Sequence, residues 1–316
     1  MARKPGQRAK KLHQMNSDEL TANIDAFMVT EALPTSFRAA IEHIYAPLAD
    51  RIAAHVRQGS GPRVVGLCGP QGSGKSTGAE AIRLLLQAVG LRVAILSLDD
   101  LYLTRAERTR LASTTHPLLA TRGPPGSHDL ALGNELMDRL LTGPSTALPS
   151  FDKATDDRRS LEQGKVIDGR ADIVLFEGWC VGARPELPEA LAEPINDLER
   201  DLDPDGIWRG FVNAELARYQ SLFSRIDFLI FLKPPGFEVV AGWRREQEAK
   251  LRDRSREERH DLRVMTDDEV TRFVQYYERL TRHIIREMPD RADAVVELGT
   301  ERDLRRLVFA QVRSAL

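Results

Sequence analysis

Residues Gly69–Thr77 read GPQGSGKST, which satisfies the spacing G-x-x-x-x-G-K-[ST] at every position. The apolar run VVGLC precedes it, and a helical run from Ser76 to Ala88 follows. A phosphate loop needs that strand-to-helix setting. Glycine at 69, 72 and 74 lets the backbone curl until successive N–H groups face a β-phosphate. The N-terminus of the following helix adds partial positive charge. Lys75 is placed to reach the β- and γ-phosphates, and the Ser76 hydroxyl to ligate Mg²⁺. The expected phosphate cradle is therefore Gly69, Pro70, Gln71, Gly72, Ser73, Gly74, Lys75, Ser76 and Thr77, holding a nucleoside triphosphate.

Outward from the loop, five short β-branched apolar runs are bounded by Gly, Pro or Asp: 63–69, 92–100, 172–178, 225–235 and 292–299. Runs that are apolar on both faces suit a parallel sheet covered by helices. The expected fold is α/β: a P-loop NTPase fold with a five-stranded parallel sheet and helices on both faces. The third run, DIVLFEG, ends on Glu177, a carboxylate that can hold Mg²⁺ beside the loop. The second ends SLDDLYLT, which brings Asp99, Asp100 and Tyr102 to the crevice where a triphosphate lies. One carboxylate there can take the proton of an attacking hydroxyl. Neighbours on an extended strand point to opposite faces, so the two acids are expected to divide their roles.

Composition narrows the class. Lys and Arg total 45 against 47 Asp and Glu, a net charge of −2 that gives no field for nucleic acid or an anionic membrane. The chain holds 42% apolar and 29% charged residues, as soluble enzymes do. No apolar run is long enough to span a bilayer. Two cysteines, Cys68 and Cys180, build no disulfide framework, which suggests a reducing, cytoplasmic setting. The basic stretch 1–16 is expected to be a disordered tail and 17–60 an N-terminal helical extension. Residues 61–316 then form the kinase-like domain, with an insertion over about 103–165 and a mixed-charge lid over about 243–263. The acidic stretch 186–205 is expected to be a solvated face. A GTPase would carry an NKxD-type element, which is absent, and a helicase would show a basic groove.

GPQGSGKST, SLDDLY and the Glu177 strand together resemble the phosphoribulokinase, uridine kinase and pantothenate kinase group of P-loop kinases. Further stretches narrow the resemblance: TRGPPGSHDLAL (121–132), LPSFDKATDDRR (148–159), LFEGWCVGARP (175–185), WRREQEAKLR (243–252) and MTDDEVTRFVQYYERL (265–280). In this order they are similar to the plant-type D-glycerate 3-kinase family with its fungal and bacterial relatives. The resemblance implies ATP and Mg²⁺ as cofactors and phosphorylation of D-glycerate to 3-phosphoglycerate. It also implies that Asp99 is the general base. The chain departs from the family pattern at Leu101, Pro124 and Phe151, none of which bears charge.

A small anionic acceptor needs cations for its carboxylate and an acceptor for its hydroxyl. Candidates are Asp100, Tyr102, Arg122, His128, Asp129, Lys153, Arg158 and Arg159, with helix capping an alternative for Asp129. Arg244 is expected to fold over the phosphates as a catalytic residue beside Lys75 and Asp99. Two other readings stand beside this one. The first is a kinase of the same fold for a nucleoside, pantothenate or a sugar phosphate; the second is an ATP-binding regulator without phosphotransfer.

Overall fold

The computed structural model describes residues 17–57, 59, 63–159, 164–258 and 265–310. The basic tail expected over 1–16 lies outside the described residues, as do residues 259–264 at the end of the expected lid. The chain opens with α1 (Ser17–Thr30), α2 (Phe37–Ala40), a π turn at Ile41–Tyr45 and α3 (Ala46–Arg57). Strand β1 (Val64–Cys68) leads through the glycine loop into α4 (Lys75–Ala88), and β2 (Val93–Ser97) follows. Next come α5 (Arg105–Thr114), α6 (Leu130–Thr142) and four short strands: β3 (Ser145–Ala147), β4 (Phe151–Asp152), β5 (Asp157–Arg158) and β6 (Val166–Asp168). The second half runs β7 (Ile173–Gly178), α7 (Asp197–Leu202), α8 (Ile207–Phe223), β8 (Phe228–Lys233), α9 (Glu238–Glu258), α10 (Asp267–Glu287), β9 (Ala294–Leu298) and β10 (Leu304–Phe309).

The central sheet has the order β10-β9-β8-β1-β7-β2. All five expected strands pair in parallel, and β10 joins as a sixth, antiparallel edge strand on β9. The alternating side chains divide between two cores. Val64, Ala94, Val174 and Phe231 face one side with α6, α8 and α10, while Val65, Leu67, Val93, Leu175 and Ile230 face the other with α1, α3 and α4. Burial on both faces is why these strands read as continuous apolar runs. The N-terminal helices dock on α4 where Gly78 leaves room: a Cβ there would lie 2.8 Å from the Tyr45 hydroxyl.

The registers decide where the chemistry lies. Leu67 pairs with Glu177, and Glu177 with Ser97, so the C-terminal tips of β1, β7 and β2 align. Two corrections to the sequence reading concern charged segments. β2 stops at Ser97, and Asp99 and Asp100 sit on a 3-10 turn (Leu98–Leu101) rather than on extended strand. Opposite-face alternation therefore does not apply to them. The acidic stretch 186–205 is not simply solvated: Glu186, Glu199 and Asp203 are buried. Arg279 bonds Glu199 at 2.7 Å, and Arg209 bonds Asp203 at 3.0 Å. Paired burial of this kind fixes α7 and α8 against α10.

Candidate active site

The phosphate loop takes the conformation its glycines permit. Gly72 and Gly74 have φ of 76° and 82°, a region costly for residues with a Cβ. A Cβ on Gly72 would also lie 2.7 Å from Cβ of Trp243, where the start of α9 covers the loop. The turn is closed by the Ser73 amide donating to the Pro70 carbonyl at 3.2 Å. The first amides of α4, at Lys75, Ser76 and Thr77, have no carbonyl one helical turn earlier to bond, so they remain donors for an anion. Ser73 Oγ is buried without a hydrogen-bond partner among the described residues.

Beside the loop, Glu177 is 5% exposed and accepts two hydroxyls on Oε1, from Ser76 at 3.1 Å and Ser97 at 2.8 Å. Its Oε2 is buried with no partner among the described residues. A buried carboxylate oxygen without a donor, next to a serine hydroxyl at a phosphate loop, is a donor set of the kind Mg²⁺ takes. Ser76 and Glu177 thus fit that ion. Ser97 was not anticipated from sequence, although its place two residues before Asp99 at a strand tip was a usable signal.

Asp99 accepts the Tyr102 hydroxyl at 2.9 Å on one oxygen and the Lys153 ammonium at 2.8 Å on the other. Burial pushes its carboxyl up, but Lys153 and Lys75, with the Lys153 and Tyr102 hydrogen bonds, hold it well below the ordinary range. Asp100 differs. Burial, aided by the charges of Asp99 and Glu177, raises it to about 6 against the opposing Phe151 hydrogen bond. Asp100 accepts the Phe151 amide at 3.2 Å and so anchors the hairpin β4–β5 that carries Lys153.

The other expected acceptor residues separate into two groups. Arg122 lies at the site, paired with Asp156, its guanidinium 5.5 Å from the Phe151 ring centroid. Tyr102 and His128 stand behind Asp99, 3% and 5% exposed, with rings stacked at 4.5 Å. His128 Nδ1 meets the Tyr219 hydroxyl at 2.7 Å, and burial lowers its pKa to about 3, so it is a neutral imidazole. Asp129 and Arg158, expected at the acceptor, are each engaged by partners within the fold. Asp129 caps α6 through the Leu132 amide at 3.0 Å. Arg158 donates to the Tyr102 carbonyl at 2.8 Å and pairs with Asp129 at 3.4 Å. Arg159 pairs with Asp152 at 3.2 Å.

Arg244, expected over the phosphates, is engaged by side chains of α9 and α10. It pairs with Glu248, donates to Gln247 at 2.8 Å and lies 5.3 Å from the Phe273 ring centroid. Sequence reasoning missed Asp156 and Arg108. Arg108 is 1% exposed, bonds Asp156 at 2.8 Å, and helps hold the hairpin over the site. A buried arginine on a polar helix carries no periodic signal, and Asp156 lay unremarked in the run KATDD.

No family model matches the chain. It is 34% identical over 226 residues to the uncharacterized kinase mug58 of Schizosaccharomyces pombe, spanning 68% of this chain and 78% of that one. It is 30% identical over 260 residues to the chloroplastic D-glycerate 3-kinase of Arabidopsis thaliana, covering 76% of this chain and 53% of that longer protein. The solved structure of D-glycerate 3-kinase from Cryptococcus neoformans var. grubii superposes with a TM-score of 0.68 at 26% identity, over 84% of this chain and 97% of the other.

Proposed function

From its membership of the D-glycerate 3-kinase family of P-loop kinases, we propose that this ATP-dependent phosphotransferase moves the γ-phosphoryl group to a hydroxyl of D-glycerate, giving 3-phosphoglycerate. The observation that carries the acceptor's class is the Asp99–Lys153 contact of 2.8 Å. A cation and a proton acceptor that close together suit a short molecule bearing a carboxylate and a hydroxyl on the same chain. A nucleoside would need an open aromatic face, whereas Tyr102 and His128 stack on each other and are buried.

On this reading the phosphates lie along the loop amides with Lys75 at the β- and γ-oxygens, and Ser76 and Glu177 hold Mg²⁺. When bound, the ion offsets phosphate charge. Arg122 and Lys153 receive the acceptor's carboxylate. Asp99 accepts the hydrogen bond of the attacking hydroxyl, fixes its direction and takes its proton as the new P–O bond forms. Against the upward push of burial, Lys153 and then Lys75, with the Lys153 and Tyr102 hydrogen bonds, hold Asp99 ionised before the acceptor binds. The acceptor's carboxylate competes with Asp99 for the Lys153 ammonium, which raises the basicity of Asp99 once the acceptor is bound. Arg244 joins at the phosphates only after it releases Glu248. The free Cys68 and Cys180 support a cytoplasmic setting.

ADP release by purified protein with Mg·ATP, measured across D-glycerate, L-glycerate, glycerol, pantothenate, uridine and ribose 5-phosphate, tests the acceptor. Turnover with D-glycerate at least tenfold above every other compound is expected. A preference for another acceptor, or silence with all six, overturns the proposal.

A further inference from the structure

Arg122 holds the acceptor's charge in the reading above, yet it stands on a loop with a soft joint. Gly123, the next residue, has φ of 122°, a conformation open to glycine alone among common residues. A backbone pivot there would swing Arg122 away from Asp156 and the Phe151 ring. Two aromatic donors from distant elements fix the joint on both sides. The Tyr277 hydroxyl, from the middle of α10, donates to the Arg122 carbonyl at 3.1 Å. The Trp179 indole, just after β7, donates to the Gly123 carbonyl at 3.0 Å. These successive carbonyls belong to the two peptide planes that flank the Gly123 Cα, so bonding both fixes the torsions that aim Arg122.

The fit around the joint is close. A Cβ on Gly123 would lie 2.0 Å from the Tyr277 oxygen, so glycine is required here by space as well as by conformation. The rings of Trp179 and Tyr277 meet edge to face at 4.9 Å, which holds the two donors relative to each other. Tyr277 is 3% exposed, and burial raises its pKa far enough that the hydroxyl stays a donor at any working pH. Packing alone would need a ring at this position. Only the hydrogen bond needs its oxygen.

We propose that Tyr277 is a positioning residue for the acceptor, acting through the Arg122 backbone, and that its hydroxyl sets the affinity for the acceptor rather than for ATP. The inference rests on the assignment of Arg122 to the acceptor's carboxylate, and the experiment separates the two. Steady-state kinetics with Mg·ATP and D-glycerate are measured for wild type, Tyr277→Phe, Arg122→Ala and the double variant, with thermal midpoints recorded for each. Tyr277→Phe keeps the ring and removes one hydrogen bond to a carbonyl. It is expected to raise the glycerate KM about fivefold to tenfold. Its kcat should fall by less than about threefold, and its KM for ATP should stay within about twofold. In the Arg122→Ala background the same change should add less than twofold to the glycerate KM, because the group it positions has gone.

If Arg122→Ala weakens glycerate but Tyr277→Phe does not, or if the two effects multiply in full, the positioning role is wrong and the Arg122 assignment stands. If Arg122→Ala leaves the glycerate KM unchanged, the Arg122 assignment fails and the proposal fails with it. A loss confined to thermal stability, with both KM values intact, also overturns it.

Discussion

Substitution of Asp156 tests how the hairpin over the site is held, because two different physical effects meet at that residue. Its backbone has φ of 56°, in the left-handed region that aspartate and asparagine tolerate but that costs residues such as alanine roughly 1 kcal/mol. Its carboxylate pairs with Arg108 at 2.8 Å and with Arg122. Arg108 is 1% exposed and Asp156 35% exposed, so the guanidinium is the buried partner. Without the carboxylate, Arg108 keeps the carbonyls of Asp156 at 2.7 Å and Ala120 at 3.5 Å and the Phe151 ring at 5.7 Å. Breaking a buried pair on one side costs about 3–5 kcal/mol, and the partial exposure of Asp156 places this case near 3.

Alanine adds the left-handed cost to that loss, for a total of about 4 kcal/mol. Glycine relieves the backbone and leaves about 3, while asparagine tolerates the conformation, keeps one acceptor and loses about 2. At roughly 2 °C per kcal/mol for a chain of this length, the thermal midpoint should fall by about 8, 6 and 4 °C in that order. The midpoint is read by circular dichroism, and the acceptor KM on the same samples should rise at least tenfold for alanine with the ATP KM little changed. If glycine restores the wild-type midpoint, backbone strain is the whole effect and the ion-pair argument is wrong. An alanine variant within about 2 °C of wild type refutes both terms.

Two further outcomes follow from the carboxylates on the turn after β2. Asp99→Asn should lower kcat by about 10²–10⁴-fold while the Kd of Mg·ATP, measured by calorimetry, stays within about twofold; full turnover would remove Asp99 from the proton-accepting role. Asp100, held at about 6, ionises less readily in the folded chain than in the unfolded chain, where a carboxyl titrates near 4. It therefore favours folding below about pH 4, and that increment is lost as pH rises through 6. Asp100→Asn keeps an oxygen for the Phe151 amide and removes the penalty, so its midpoint should rise at pH 7.5 and stay near wild type at pH 4. An equal shift at both pH values would contradict this.

The parts legible in the sequence are those whose cause is local. GPQGSGKST fixes its own backbone through Gly72 and Gly74, and a strand buried on both faces must be apolar throughout, so β1, β2, β7, β8 and β9 stand out as runs. Strand β10 did not. Its sequence LRRLVF exposes Arg305 and Arg306 on a strand that pairs on one side, with β9, so it lacks the continuous apolar signature of an inner strand. The turn carrying Asp99 and Asp100 reads as strand in the sequence because apolar residues run on through Leu98 and Leu101. Leu101 is buried against α6, where a Cβ on Gly133 would lie 2.9 Å from it, and Leu98 against the end of β7, where a Cβ on Gly178 would lie 2.6 Å from it.

The charged residues were harder to read, for a reason that applies across the site. A carboxylate or guanidinium looks the same in sequence whether water or a partner neutralises it, and here the partners come from far along the chain. Glu199 and Arg279 are 80 residues apart, Asp99 and Lys153 are 54, and Arg108 and Asp156 are 48. The charges of Asp129 and Arg158 suggest the acceptor, but the two pair with each other, and Arg158 also donates to the Tyr102 carbonyl, which supports the turn on which Asp99 stands. Tyr277 falls on the apolar stripe of α10, where periodicity alone predicts a core residue, and its ring does lie there. Only the oxygen at its tip distinguishes a packed ring from one that holds Arg122, and helical periodicity does not register that atom.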